Sequence, residues 1–370
     1  MLSTLVGMSN YQNRTIFFLL TLSLFACKSA DISNHKSLKV SFLSEYVLPE
    51  QILVDETLVG GLSGIDYYKD TYYLVCDDSN NPRIYEASII FESHKISNVH
   101  IDKVVLIDNA NDFLDLEAIR FDQRSNHILL TSEGHIIQNK NPLFFGIDTM
   151  GKIKTRFEIP ESFKANSSQK PRHNGTLEGL CLSFDRKGFW IAMELPLKTD
   201  GPEPQITATK SPVRITFINS KTKTPERQFA YFLDPVAKKP VGNFSVNGLT
   251  DLLEYNKDIF LVLERSYSSG LGNQGNTIKL FKVDATSASN TLKEHSLKDS
   301  GFVSATKKLL LNFEDLRNQL TNQSIDNIEG ITFGPRLPNG NLSLILVSDN
   351  NFNRLEKQLN QFILLEIIDN

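Results

Sequence analysis

The chain has 370 residues, of which 40% are hydrophobic and 22% charged, the balance of an ordinary globular protein. Its net charge is −4 and it carries no basic block, which excludes a polyanion-binding surface; neither nucleic acid nor an anionic membrane face is an expected partner.

The first predicted element is a leader. Arg14 precedes an apolar run from Ile16 to Ala26. That run is too short to cross a bilayer comfortably and has the length of a signal-peptide core. The ending Leu24-Phe25-Ala26-Cys27 resembles a bacterial lipobox, in which the cysteine takes a diacylglyceryl group and becomes the first mature residue. Phe25 departs from the small or β-branched residue usual there. The expected organisation is a signal peptide over 1–26, a lipidated Cys27, a polar tether over 28–37 and a folded domain over 38–370. It implies an outer-membrane lipoprotein of the cell envelope, held by its lipid alone; a plain secretory signal is the alternative. Cys76 and Cys181 remain after processing and sit in apolar runs, so buried free thiols are expected rather than a disulfide.

From residue 61 onward one pattern recurs five times: GLSGIDYYKDTYYLVCDD (61–78), DLEAIRFDQRSNHILLTSEG (115–134), TLEGLCLSFDRKGFWIAMEL (176–195), NGLTDLLEYNKDIFLVLERS (247–266) and NIEGITFGPRLPNGNLSLILVSDNN (327–351). Each has an apolar opening, an alternating run, a polar turn, a second apolar run and an acid. Period-2 alternation broken by Asn, Asp and Gly predicts β-hairpins. Stretches such as 83–91, 142–153, 214–219, 227–233, 277–284 and 362–369 alternate like outer strands. Only 307–320 offers a short amphipathic helix. The expected fold is all-β: a single β-propeller closed by a strand around 39–48. Six blades are expected, one with a degenerate motif hidden in 92–114 or 200–246; a β-sandwich or a two-barrel protein is the alternative.

In an antiparallel hairpin the start of the first strand meets the end of the second. The opening residues Ser63, Glu117, Glu178, Thr250, Asp251 and Glu329 should therefore face the closing residues Asp77, Asp78, Glu133, Glu194, Glu264 and Asp349. If the hairpins are inner strands, these acids ring one channel mouth. Mutually repelling carboxylates need a counter-charge, and an oxygen-only donor set suits Ca²⁺ or Mg²⁺. The expected metal ligands are Asp77, Glu117, Glu133, Glu178, Glu194, Glu264, Glu329 and Asp349. Arg83, Arg120, Arg265, His173 and Arg354 lie close in sequence as alternative counter-charges. The sequence contains no nucleophile elbow, P-loop, dinucleotide fingerprint or zinc spacing.

Together GGLSGIDY, LEAI, GTLEGLCLS, ELPL, NGLTDLL, LVLERSYSSGLGN and DNIEGITFGPRLPNGNLSLILVSDNNFN resemble the phytase-like family described as "esterase-like activity of phytase", over roughly residues 55 to 368. The resemblance implies a propeller with calcium-dependent hydrolysis of ester or phosphoester bonds. Glu178, Glu329, His173 and Arg265 become the expected catalytic residues, with Arg83, Arg265 or Arg354 clamping phosphate. The expected partner is a small ester or phosphoester, bound by a monomer. A non-catalytic, ligand-binding propeller is the competing class.

Overall fold

A computed structural model describes residues 38–108, 112–298, 301–353 and 357–369. Cys27, the leader and the tether, and also Arg354, lie outside the described residues.

Each of the five repeats forms the two inner strands of a four-stranded antiparallel sheet. Blade 1 runs Leu62–Tyr68, Thr71–Cys76, Arg83–Glu92 and Lys95–Leu106. Blade 2 runs Leu116–Asp122, His127–Ser132, Leu143–Ile147 and Ile153–Phe157. Blade 3 runs Leu177–Leu182, Gly188–Met193, Pro212–Asn219 and Pro225–Phe232. Blade 4 runs Ser245–Asn256, Ile259–Ser268, Asn276–Asp284 and Thr306–Asn312. Blade 5 takes Asn327–Arg336, Leu342–Asp349 and Asn360–Asp369 from the C-terminal part of the chain, and Leu38–Leu48 as its outer strand. The first strand of the domain thus zips onto the last, from Leu38 opposite Asp369 to Leu48 opposite Asn360. That closure was expected from 39–48.

The fold is a β-propeller of five blades among the described residues, not six. The long spacing between repeats is used up in other ways. Strands reach 12 residues, as in Lys95–Leu106 and Ser245–Asn256, and loops occupy 196–211, 233–244 and 285–298. Neither 92–114 nor 200–246 hides a further blade: the first holds the outer strand of blade 1 and the second holds both outer strands of blade 3. The expected helix over 307–320 also resolves differently. Thr306–Asn312 completes blade 4 as its outer strand, and the Asn312 side chain accepts from the Glu314 N–H to start a 3-10 turn over Phe313–Gln319.

Burial follows the blade interfaces. Trp190 of blade 3 packs on Phe229 and Phe260 at ring-centroid distances of 5.4 and 5.3 Å, and its indole N–H donates to Glu254. Cys76 and Cys181 are buried free thiols. At the axis the inner strands crowd together: a Cβ on Gly330 would lie 2.8 Å from the Cα of Gly64, so blades 5 and 1 can meet there only as glycines. No helix among the described residues is long and apolar enough to cross a membrane.

Candidate functional site

One local irregularity recurs in all five blades. The pairing of the two inner strands slips between Leu62 and Gly64, Leu116 and Ile119, Leu177 and Gly179, Leu249 and Asp251, and Ile328 and Gly330. A β-bulge of this kind bends the strand and re-aims the unpaired side chain. The slips carry Ser63, Glu117, Glu178, Thr250 and Glu329, which are the opening residues of the sequence pattern.

The register on the partner strand fixes the closing residues. Leu62, Leu116, Leu177, Leu249 and Ile328 stand opposite Cys76, Ser132, Met193, Glu264 and Ser348. One residue further on lie Asp77, Glu133, Glu194, Arg265 and Asp349. The ring therefore holds four acids and one arginine at its closing positions. Glu264 is a correction to the expected ligand set. It is one residue out of phase with the other acids, and successive side chains on a strand point to opposite faces. It is instead buried between blades 3 and 4, where it accepts from the Tyr231 hydroxyl, the Asn247 amide and the Asp234 N–H, and pairs with Lys307 at 2.6 Å.

At the open ends of the hairpins Asp77, Glu117, Glu133, Glu178, Glu194, Glu329, Asp349 and Arg265 line one cavity of about 310 Å³. Two oxygen sets stand out. Asp115, Glu117 and Glu133 bring carboxylate oxygens within 4.8 Å of one another, and so do Glu133, Glu178 and Glu194. Glu133 belongs to both, and its Oε1 accepts from the Thr176 N–H at 2.6 Å, which fixes its orientation. A Cβ on Gly248 would fall 2.4 Å from Glu194 Oε1, so the bare backbone of blade 4 makes room for that carboxylate. Arg265 reaches Glu194 and Glu329 at 3.4 Å each. Asn327 donates to Glu329 at 3.0 Å, and the Asn351 N–H donates to Asp349 at 2.8 Å.

Burial is the main cause of the charge state of this ring. It pushes Glu133 up to about 8, with the charge of Glu194 adding to the effect. Glu194 and Glu329 rise to about 7, restrained by the Arg265 guanidinium, and Asp115 rises to about 7 with Asp77 beside it. Glu117, Glu178 and Asp349 are driven well above the ordinary carboxylate range by burial and then by their acidic neighbours. Among the described residues the cavity wall carries two cations, Arg265 and Lys357, and Lys357 is exposed and paired with Glu50 at 2.7 Å, so the buried acids stay in surplus. The surplus of hard oxygen donors fits Ca²⁺ or a similar hard cation.

Other expected residues lie elsewhere. Arg83 is held by Asp78 at 3.2 Å, by the Tyr85 hydroxyl and by two backbone carbonyls, away from the acidic cavity. His173 packs at a tilt against His135 with ring centroids 4.3 Å apart, and the cavity is lined by its neighbour Asn174 instead. Arg120 and Asp251 pair with each other deeper on the axis, at 2.8 Å. Sequence reasoning missed Asp115, which immediately precedes an opening leucine, and also Asn273, Asn276 and Asp326 on the cavity wall. Their signal is weak, because Asp115 heads its repeat without an acidic counterpart in the other four, and the other three sit in loops or at a strand edge outside the repeated pattern.

Fold and site together define a β-propeller with an acidic channel mouth whose carboxylate groups could hold a metal ion. The chain belongs to the phytase-like family described as "esterase-like activity of phytase", whose family model matches residues 57–352. No curated protein sequence matches it. Among solved structures it is similar to the major allergen Mala s 1 of Malassezia sympodialis, at 10% identity over 86% of this chain and 82% of that one, with a TM-score of 0.39. It is also similar to a DUF4221 family member from Bacteroides vulgatus, at 9% identity over 90% and 99% of the chains and a TM-score of 0.37. Likenesses this distant say nothing about activity.

Proposed function

We propose that the acidic mouth is a divalent-cation site, with Ca²⁺ the favoured ion, and that it hydrolyses an ester or phosphoester bond of a small molecule. The observation that carries this reading is the convergence of buried carboxylates from blades 1, 2, 3 and 5 on one cavity that also exposes a guanidinium. Glu133, Glu178 and Glu194 would hold the ion, with Asp115 and Glu117 forming an adjoining set through Glu133. A bound cation supplies neutralising charge, a seat for an anionic substrate oxygen and a more acidic water.

The chain's own groups do the rest. Arg265 Nε is buried without a hydrogen-bond partner, so the guanidinium has a donor left for a substrate oxygen while it pairs with Glu194 and Glu329. Glu329, pushed up to about 7, has the proton affinity suited to moving a proton at neutral pH. It serves as the general acid–base, a role His173 cannot share because it is not on the cavity wall.

The test is turnover of p-nitrophenyl phosphate and p-nitrophenyl acetate with Ca²⁺ or with chelator. Chelation is expected to abolish turnover. Arg265→Met is expected to lower kcat/KM on the phosphate ester by about 100-fold, the usual scale for losing one donor to a developing charge, and to affect the acetate less. Absence of Ca²⁺-dependent turnover on either ester would leave a binding module as the surviving reading.

The leader motif supports a second proposal: Cys27 carries a lipid anchor that holds the propeller in the cell envelope. Labelled palmitate fed to cells making the full chain should mark the wild type and not Cys27→Ala. Equal labelling of both would sink the proposal.

A further inference from the structure

The channel has a second mouth at the turn ends of the inner hairpins, opposite the acids, and it opens into a cavity of about 400 Å³. Its wall is aromatic and drawn from all five blades: Tyr67 and Tyr68, Phe121, Phe184, Tyr255 and Phe333. Phe184 leaves 52% of its surface open to water, a large apolar group held at the rim of a hollow. Cavities of this size and lining are typical of small-molecule sites.

The floor has polar chemistry of a particular kind. Asp66 is occupied: one oxygen accepts from the Phe121 N–H at 2.7 Å and the other from the Thr332 hydroxyl at 3.0 Å. Glu254 is occupied too, accepting from the Phe184 N–H, the Trp190 indole and the Asp258 N–H. Arg120, which lines the same cavity, is 2% exposed. Its terminal nitrogens are taken by Asp251 and by the carbonyls of Ile65, Ile119, Leu252 and Ile331, yet its Nε is buried with no hydrogen-bond partner. A buried donor left unmade is costly, so a ligand that supplies an acceptor gains there.

We propose that this aromatic mouth binds a flat, uncharged molecule carrying a hydrogen-bond acceptor, such as an aromatic ketone, with the acceptor on Arg120 Nε and the ring against the wall formed by Phe333 and the stacked Tyr68–Phe121 pair. The charge pattern selects against ions. The Arg120 charge is already matched by Asp251, so an anion drawn to Arg120 Nε enters beside Asp66 and Glu254, with only the exposed, solvated Arg186 on the cavity wall to offset them. An incoming cation finds those carboxylates already committed and a guanidinium ahead of it. A neutral acceptor meets neither penalty. The site is independent of whatever the acidic mouth does.

Prodan, an uncharged naphthyl ketone whose emission shifts to the blue in a dry environment, tests this on the intact domain. One-to-one saturable binding with a blue shift is expected. Phe333→Ala and Phe184→Ala should each weaken it about tenfold, the scale of one lost aromatic contact. Phe184 is exposed, so that variant keeps its fold. In competition 2-acetylnaphthalene should displace the probe at least about tenfold better than naphthalene or naphthalene-2-sulfonate. The proposal is overturned by no saturable binding, by binding that both variants leave unchanged, by equal or better competition from the hydrocarbon or the sulfonate, or by loss on Phe244→Ala, which would put the probe at the acidic mouth.

Discussion

Kept free of calcium, the protein should lose thermal stability as pH rises from about 5 to 8, and saturating Ca²⁺ should reverse that slope. The sign follows from the buried ring. Glu133 is pushed up to about 8, and Asp115, Glu194 and Glu329 to about 7, so the folded chain keeps protons there that the unfolded chain, with ordinary carboxyl groups, has already released. Stability rises with pH only where the unfolded state binds more protons, and here it binds fewer. The contribution is fully present below about pH 4 and is lost as pH climbs through 7 to 8. Each unit of displacement is worth about 1.4 kcal/mol, so forcing the proton off even one of these carboxyls costs on the order of 4 kcal/mol at pH 8. For a domain of this size that is a fall on the order of 5–10 °C in Tm.

Calcium should bind only the deprotonated ring, so binding releases protons and strengthens with pH. Calorimetry in buffers of different ionisation enthalpy reads that release directly. Glu133→Gln separates the two effects because Glu133 belongs to both oxygen sets. Calcium affinity should fall by at least about 100-fold, the upper end of what even a supporting residue costs. The metal-free variant should be more stable than the wild type at pH 8, having one fewer buried charge. A melting temperature that rises with pH without calcium, or a variant that binds calcium as the wild type does, would refute the cation site.

The hairpins were legible in the sequence because alternation and turn residues are local signals. So were most of the acids around the mouth, since Glu117, Glu178 and Glu329 occupy the same place in their repeats, as do Asp77, Glu133, Glu194 and Asp349. What was not legible depends on register. Glu264 matched the pattern by residue type, but pairing across the turn puts Arg265 where the other blades carry an acid. Turn length varies between hairpins, so counting along the chain cannot show that offset. Asp251 read as another mouth acid; it occupies the place that is glycine in blades 1, 3 and 5, and there points to the axis. Its partner Arg120 is 131 residues away and in another blade. Blade number was misjudged for a similar reason, because spacing does not distinguish a further sheet from long strands and loops.

Breaking the Arg120–Asp251 pair is expected to be the most damaging single change to the fold. The two side chains are 2% and 1% exposed and meet at 2.8 Å on the propeller axis. Arg120 of blade 2 donates to Ile65 O of blade 1, Leu252 O of blade 4 and Ile331 O of blade 5. Asp251 of blade 4 accepts from the N–H groups of Ile331 in blade 5, at 3.0 Å, and Leu180 in blade 3, at 3.4 Å. One ion pair thus touches the inner strands of all five blades. Arg120→Met leaves a buried carboxylate without its counter-charge and removes the donor to the carbonyls of Ile65, Ile119, Leu252 and Ile331, a loss of about 3–5 kcal/mol. Asp251→Asn keeps an acceptor for the N–H groups but strands the guanidinium, and should cost less. The double variant should recover much of the loss, because the two remaining side chains carry no charge. Denaturant unfolding of the four proteins gives the coupling energy. Coupling below about 0.5 kcal/mol, or single variants as stable as the wild type, would mean that packing between blades, not this axial pair, holds the ring closed.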